Sequence, residues 1–269
     1  MLKGRNMVPV LKSLGVEVAC IGNHDLDYGI EELTQLMRET EFPWLMSNMA
    51  DKTTGRLLAN AHETHEVLDG PSGLKIGYVG VGEEEWIHTL ATEVDKSRIL
   101  YSPQHEVARR LGKYLKEVKK CDFVLALTHM RIPNDERFCD QTHDIVDMSL
   151  GGHDHTDYYT ARRGMFFGKS GTDFRMFSKI DVHFFANSAQ RSRFASALEF
   201  LSEKLPGTCP APGEMLVSED KNEMWVVPSK YHPYLVRVQK VDVASIPGLK
   251  PNPKIEAYIS GLVGELEII

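Results

Sequence analysis

The segment from residue 103 to residue 128 constrains the fold of this chain more than any other. Pro103 suits a first helical turn, and apolar residues then recur at helical spacing, at Val107, Leu111, Leu115 and Val118. Residues 123–128 form a continuous apolar run, which is typical of a strand that is covered on both faces. A helix that leads directly into such a strand predicts an α/β fold.

The same alternation extends along the rest of the chain. Helices are predicted at the start of the chain as far as Gly15, from residue 30 onward, over 103–120 and over 255–266. Strands are predicted at residues 16–21, 44–48, 75–81, 123–128, 145–150, 166–168, 180–185 and 235–243. Residues 51–73 are polar and contain glycine, which indicates a hairpin or a loop. This order favours layered α/β architecture over an all-β fold.

Composition excludes several classes of protein. The 269 residues are 42% apolar and 26% charged, and 31 basic against 38 acidic residues give a net charge of −7. This acidic balance argues against a nucleic-acid polymer as the partner. No run of about 18 apolar residues occurs, and charged residues interrupt the N-terminal segment, so we expect no membrane partner and a cytoplasmic location. The four cysteines form no CxxC pair, which argues against a disulfide framework.

Metal-binding side chains follow three of the predicted strands. Asn23 and His24 come after the strand at 16–21, His129 after the strand at 123–128, and His153 and His155 after the strand at 145–150. Active sites of open α/β sheets lie at the carboxyl ends of strands, and imidazole and amide groups are ordinary ligands of Zn, Mn or Fe. A single histidine is more often a surface or core residue, but three such strand ends predict a metal site. We expect ordinary structural roles for His62, His65, His88, His105, His143 and His232.

The three motifs carry a family resemblance. Residues 22–27 (GNHDLD), 127–130 (LTHM) and 151–155 (GGHDH) resemble the later motifs of the calcineurin-like metallophosphoesterases, in particular the 5′-nucleotidase branch. Residues 7–11, 83–86 and 170–175 add to the resemblance, which spans about residues 1–185. It implies a layered β-sandwich flanked by helices, in the order α/β/β/α.

The resemblance also implies a chemistry and a role for each site residue. Members of the family use two divalent metal ions (Mn, Zn or Fe), and a metal-activated water attacks the phosphorus of a phosphate monoester such as a nucleotide. By motif, Asn23, His129 and His153 resemble the ligands of one ion, and His155 resembles a ligand of the other. His24 resembles the histidine that contacts the phosphate, and Asp27 the carboxylate that fixes its tautomer. Asp25 and Asp154 are expected to shape their loops through local hydrogen bonds.

The chain departs from the family at its N-terminus. The family's D-x-H and G-D motifs precede G-N-H-D, but residues 1–22 contain no Asp and no His. The domain is therefore expected to be N-terminally incomplete, with at most one tightly bound metal ion. Asp181 and His183 imitate a D-x-H motif, but their alternation with apolar residues is typical of a half-exposed strand. Three interpretations stay open: a 5′-nucleotidase-like hydrolase, a catalytically impaired remnant or regulatory pseudoenzyme, and an incomplete gene model.

The expected domain organisation has three parts. Residues 1–204 form the metallophosphoesterase-like domain, 205–233 a Pro/Gly-containing insertion or loop, and 234–269 a terminal strand and linker helix. The family's C-terminal nucleotide-binding domain is not recognised in this sequence. Without the two N-terminal strands, exposed strand edges are expected to favour self-association or another partner.

Overall fold

Two large β-sheets and the helices around them organise the chain, for which a computed structural model describes residues 2–90, 94–184, 211–227 and 234–266. The strands in chain order are β1 (Ala19–Cys20), β2 (Trp44–Leu45), β3 (Met49–Asp51), β4 (Arg56–Leu57), β5 (Thr64–Leu68), β6 (Lys75–Gly82), β7 (Ile99–Tyr101), β8 (Phe123–His129), β9 (Met148–Gly151), β10 (Asp157–Arg162), β11 (Met165–Ser170), β12 (Met176–Phe184), β13 (Met215–Val217), β14 (Glu223–Val226) and β15 (Tyr234–Asp242). The α-helices are α1 (Val8–Ser13), α2 (Ile30–Thr40), α3 (Gln104–Glu117), α4 (Ile132–Thr142) and α5 (Pro253–Leu266).

The larger sheet has six strands in the order β10–β11–β9–β8–β6–β5. Its four inner strands, β11, β9, β8 and β6, are parallel, and the edge strands β10 and β5 are antiparallel to their neighbours. Gly82 pairs with His129, and Thr128 pairs with Gly151. The carboxyl ends of β6, β8 and β9 therefore lie at one edge of the sheet.

The two faces of this sheet are covered by different layers. Helices α3 and α4 cover one face, where Leu111 and Phe138 belong to the same buried cluster as Val124. The other face packs against a four-stranded sheet with the order β12–β15–β14–β13. Phe123 and Tyr234 meet across this second interface with ring centroids 5.2 Å apart. The predicted α/β class and sandwich architecture are confirmed.

The short parallel pair β1–β2 lies beside β6 and brings the backbones very close together at Gly80. Ser47 N–H donates to the Gly80 carbonyl at 2.6 Å, and Gly80 N–H donates to Ser47 Oγ at 3.0 Å. A Cβ atom on Gly80 would lie 2.4 Å from Leu45 Cβ and 3.0 Å from the Leu45 backbone. Only glycine permits this approach without a backbone shift.

Gly80→Ala is therefore expected to destabilise the chain by about 1–3 kcal/mol, the usual cost of overpacking a core. Urea denaturation measures the change. Gly70→Ala is the matched control, because a Cβ atom there meets nothing within 4 Å. If the two variants unfold at the same urea concentration, the approach of β2 to β6 is looser than described.

The elements differ from the sequence prediction in several places. Helix α4 and strand β10 were not predicted, and β9 begins at Met148 rather than at residue 145. Strands β13 and β14 lie within residues 211–227, part of the segment that was expected to be an insertion or loop, and they pair as β13–β14–β15. The predicted break at 205–213 lies mostly outside the described residues, and the domain boundaries stay a prediction. Within the described ranges, no helix combines the length and apolar content needed to span a membrane.

Candidate active site

The candidate site forms at the carboxyl ends of the parallel strands. His129 is the last residue of β8, His153 and His155 follow β9, and Asn23 begins a short helical turn (Asn23–Leu26) after β1. Strand β1 contacts both β8 and β6, which brings the Asn23 turn to the same edge of the sheet. Residues far apart in sequence are thereby placed together, as expected from the strand-end pattern.

Three side chains converge at this edge. His129 Nε2 lies 2.8 Å from Asn23 Oδ1 and 3.2 Å from His153 Nδ1. Two ligand atoms that each lie about 2.1 Å from one ion are about 3 Å apart, so these separations suit atoms that share a metal ion. We call Asn23, His129 and His153 the strand-end cluster.

Burial keeps the imidazoles of the cluster neutral. Burial is the largest cause that lowers the pKa of His129 to about 3, and the neighbouring His153 and Lys169 add to this effect. Burial also lowers the pKa of His153. A neutral imidazole can bind a metal without first releasing a proton, so the donor set, two imidazole nitrogens and an amide oxygen, fits one divalent transition-metal ion.

Two glycines make room for the His129 ring. A Cβ atom on Gly22 would lie 2.6 Å from the ring, and a Cβ atom on Gly152 would lie 3.3 Å from it. Gly22 N–H also donates to Asp25 Oδ2 at 2.7 Å, which closes the turn that carries Asn23. Burial raises the pKa of Asp25 to about 6. Asp25 thus has the loop-shaping role that the sequence predicts.

His24 and Asp27 form a separate pair beside the cluster. His24 Nδ1 lies 3.0 Å from Asp27 Oδ2, and the His24 side chain is 72% exposed. A hydrogen on Nδ1 bonded to Asp27 fixes the ring so that Nε2 is the nitrogen that faces outward. The pair is positioned to meet a ligand that arrives from solvent.

A buried lysine anchors the loop that carries His153. Lys169, on β11, is only 2% exposed, and its ammonium group donates to the carbonyls of Met130 and Gly152 at 2.6 Å each. It also forms ion pairs with Asp135 at 2.9 Å and with Asp154. Asp154 in turn accepts a hydrogen bond from Ile132 N–H at 3.0 Å, so it joins its loop to the start of α4 and to β11 instead of bonding locally as expected. The lysine, Asp135 and Asp154 form what we call the Lys169 network.

The His153 loop has a constrained backbone. His153 has φ of 82° and His155 has φ of 56°, both in the left-handed region that few non-glycine residues adopt. Such conformations persist only when surrounding contacts impose them, and they are found most often at functional sites. Here the Gly152 N–H bond to the Thr128 carbonyl and the Lys169 network supply those contacts.

Other predicted residues lie apart from the cluster. His155 is exposed and makes none of the cluster contacts described above. Asp181 and His183 lie on β12 in the four-stranded sheet, and Asp181 faces Lys179 at 3.7 Å. Across the ranges that the structure describes, no group of three His, Cys, Asp or Glu side chains has metal-binding geometry. The strand-end cluster contains two histidines, and its third member is an asparagine.

A cavity of about 410 Å³ lies at a different place. It is lined by residues near the start of β2, including Arg38, Phe42, Trp44 and His62. Because β1 and β2 are parallel, this cavity lies toward the end of the pair opposite to Asn23. It is therefore not the space above the strand-end cluster.

The chain is similar in sequence to several nucleotidases. It is 28% identical over 154 residues to a 5′-nucleotidase of Vibrio vulnificus, covering 53% of this chain and 27% of that protein. It is 26% identical over 170 residues to a 2′,3′-cyclic-nucleotide 2′-phosphodiesterase/3′-nucleotidase of Haemophilus influenzae, covering 57% of this chain and 25% of that protein. The chain thus spans about a quarter of the length of these relatives. No protein-family model matches it.

Solved structures show the same fold. A calcineurin-like phosphoesterase of Bacillus subtilis superposes with a TM-score of 0.66 at 14% identity, covering 97% of this chain and 73% of that one. A putative 5′-nucleotidase of Staphylococcus aureus superposes with a TM-score of 0.65 at 13% identity, covering 97% of this chain and 44% of that one. The fold is that of the calcineurin-like phosphoesterases. Within that class, the resemblance of the sequence to the 5′-nucleotidase branch is confirmed.

Proposed function

We propose that this chain is the core of a metal-dependent phosphoesterase of the 5′-nucleotidase type, which hydrolyses phosphate monoesters such as nucleotides. The observation that carries the proposal is the convergence of Asn23, His129 and His153 at one sheet edge. The sequence relatives, which are nucleotidases and nucleotide phosphodiesterases, support the substrate class.

The strand-end cluster would hold one divalent ion through Asn23 Oδ1, His129 Nε2 and His153 Nδ1. When bound, such an ion supplies positive charge to a phosphate ester and to the negative charge that develops in the transition state. The protein contributes the fixed positions of the three donors. Lys169 contributes by holding the Gly152 carbonyl and Asp154 on the loop that carries His153.

His24 would act directly on the substrate. Its exposed ring allows Nε2 to contact a phosphate oxygen, while Asp27 holds Nδ1. In the protonated ring both nitrogens carry hydrogen, and the hydrogen on Nε2 would be donated to the oxygen that leaves phosphorus, which is general acid catalysis. This role requires no movement of the buried cluster.

A catalytically impaired remnant or regulatory pseudoenzyme is the second candidate. It is favoured by the small donor set: three donors converge, one of them an amide, and His155 stands apart from them. Such a protein would bind one metal ion without turnover. A hydrolysis assay with added metal separates the two candidates.

His24→Ala is expected to lower kcat for manganese-dependent hydrolysis of p-nitrophenyl phosphate by about 10²–10⁴-fold, the usual contribution of a general acid. Its manganese affinity should stay close to that of the unmodified chain, because His24 lies outside the cluster contacts. His62→Ala is the matched control, since His62 is exposed and lines the cavity toward the opposite end of the β1–β2 pair. Equal rates for His24→Ala and the control would remove His24 from the mechanism. Manganese binding without hydrolysis by the unmodified chain would favour the remnant.

A further inference from the structure

Glu83 is a buried carboxyl group that immediately follows β6. The residue is 1% exposed, although Glu84 and Glu85 beside it are exposed. Its Oε2 atom accepts hydrogen bonds from Arg131 N–H at 2.9 Å and from Asn134 Nδ2. Arg137 donates to Asn134 Oδ1, which fixes the Asn134 amide with its nitrogen toward Glu83. Both groups on this side of Glu83 are therefore donors.

The second oxygen of Glu83 faces the strand-end cluster. Oε1 is buried and accepts no hydrogen bond among the described residues; Arg131 Nε lies 3.9 Å from it, and His153 Nε2 lies nearer, at 3.5 Å. A buried carboxylate oxygen without a donor is costly, so its orientation toward an imidazole nitrogen needs an explanation. At 3.5 Å the contact is longer than an ordinary hydrogen bond, and a small rotation of the ring would close it. Hydrogen bonds in active sites are often long until a ligand binds.

We propose that Glu83 is a positioning residue that holds His153 in the tautomer with hydrogen on Nε2, leaving the lone pair of Nδ1 directed at His129 Nε2 and the metal position. This inference rests on the proposed function, since it takes His153 Nδ1 to be a ligand of the metal ion. In the other tautomer, the Nε2 lone pair would face Glu83 Oε1, and two acceptors would oppose each other. Acceptors of this kind fix the tautomer and orientation of histidines that bind metals.

Glu83→Gln tests this role directly, because the neighbouring donors determine which way the new amide group will point. The donors Arg131 N–H and Asn134 Nδ2 require the amide oxygen on their side, which turns the amide NH2 group toward His153 Nε2. An NH2 donor there favours hydrogen on Nδ1 and so blocks the ligand nitrogen. Nitrogen-15 NMR of the ring in the metal-free chain, at about pH 8, where an ordinary imidazole is neutral, reports the tautomer. We expect hydrogen on Nε2 in the unmodified chain and on Nδ1 in Glu83→Gln.

The second readout is metal affinity. Titration calorimetry with MnCl2 should show affinity lowered by about 10–100-fold in Glu83→Gln, as for other outer partners of histidine ligands. Glu84→Gln is the matched control, with the same chemical change one residue away on an exposed side chain. Thermal melts of both variants verify that the fold is retained.

The outcomes separate this inference from the proposed function. If His153 keeps the same tautomer in Glu83→Gln and in the unmodified chain, the positioning role of Glu83 is overturned, whether or not the chain hydrolyses phosphate esters. If the tautomer changes and manganese affinity falls while the unmodified chain shows no hydrolysis, the positioning role stands and the proposed activity fails.

Discussion

Replacing Lys169 with methionine is expected to lower the free energy of unfolding by about 3–5 kcal/mol, the usual cost of removing one partner from a buried ion pair. The cost arises because the buried partners of the lysine stay in place after it is removed. Asp135 is fully buried and 2.9 Å from the ammonium group, and Asp154 shares the same partner. Burial raises the pKa of Asp135, and the charge of Lys169 opposes that increase. Methionine fills a similar volume but removes the ammonium group from two carboxyl groups and two carbonyls. In the part of the chain that the structure describes, this leaves Asp135 only the Thr128 hydroxyl and Asp154 only Ile132 N–H.

Urea denaturation measures this change, with Lys179→Met as the matched control. Lys179 also faces an aspartate, at 3.7 Å, but its side chain is 59% exposed, so the control should stay within about 0.5 kcal/mol of the unmodified chain. Adding Asp135→Asn to Lys169→Met should recover part of the loss, because removing both charges costs less than leaving one. A Lys169→Met chain that is as stable as the control would show that the Lys169 network contributes nothing to the fold.

The elements that could be predicted are those whose burial is apolar. Helix α3 and strand β8 can be recognised in the sequence, because each buries Val, Leu or Phe at regular spacing. The strand-end positions of Asn23, His129 and His153 were also predictable, since a parallel sheet brings the carboxyl ends of its strands to one edge. The sequence could not show which of these side chains touch, and the structure leaves His155 outside the contacts.

Helix α4 was missed for a physical reason. Its buried positions have helical spacing, but three of them are polar: Asn134, Asp135 and Thr142. A search for apolar periodicity does not register such a helix. These polar residues contact the groups that support the site: Asn134 donates a hydrogen bond to Glu83, and Asp135 forms an ion pair with Lys169.

The supporting residues of the site were missed for the same reason. Lys169 follows Phe166 and Phe167 in a strand whose other residues are almost all buried. A lysine in such a run is a signal of a buried partner, because the ammonium group cannot stay there unpaired. Glu83 gives a weaker signal, since the adjacent Glu84 and Glu85 make it resemble part of a solvated acidic run.

Replacing His129 with alanine is expected to lower the affinity for manganese by at least about 100-fold, beyond the range found for outer partners of a ligand. His129 Nε2 is the one atom that lies close to both other donors, 2.8 Å from Asn23 Oδ1 and 3.2 Å from His153 Nδ1. Without His129, the two remaining donor atoms, Asn23 Oδ1 and His153 Nδ1, no longer lie next to a third donor that both of them contact. The backbone carbonyl of residue 129, which accepts the hydrogen bond from Trp86 Nε1 at 3.1 Å, is retained in the variant, so the strand end should stay in place.

Titration calorimetry with MnCl2 on His129→Ala and His155→Ala distinguishes one metal position from two. His155 is exposed and outside the cluster contacts, so its removal should change the affinity by less than about threefold if one ion binds at the strand-end cluster. His62→Ala controls for the loss of an exposed imidazole away from the cluster. Equal losses in His129→Ala and His155→Ala would contradict the three-donor site, because the exposed loop histidine would then hold the same ion as the buried one. A large loss in His129→Ala alone would place the metal where β1, β8 and β9 end.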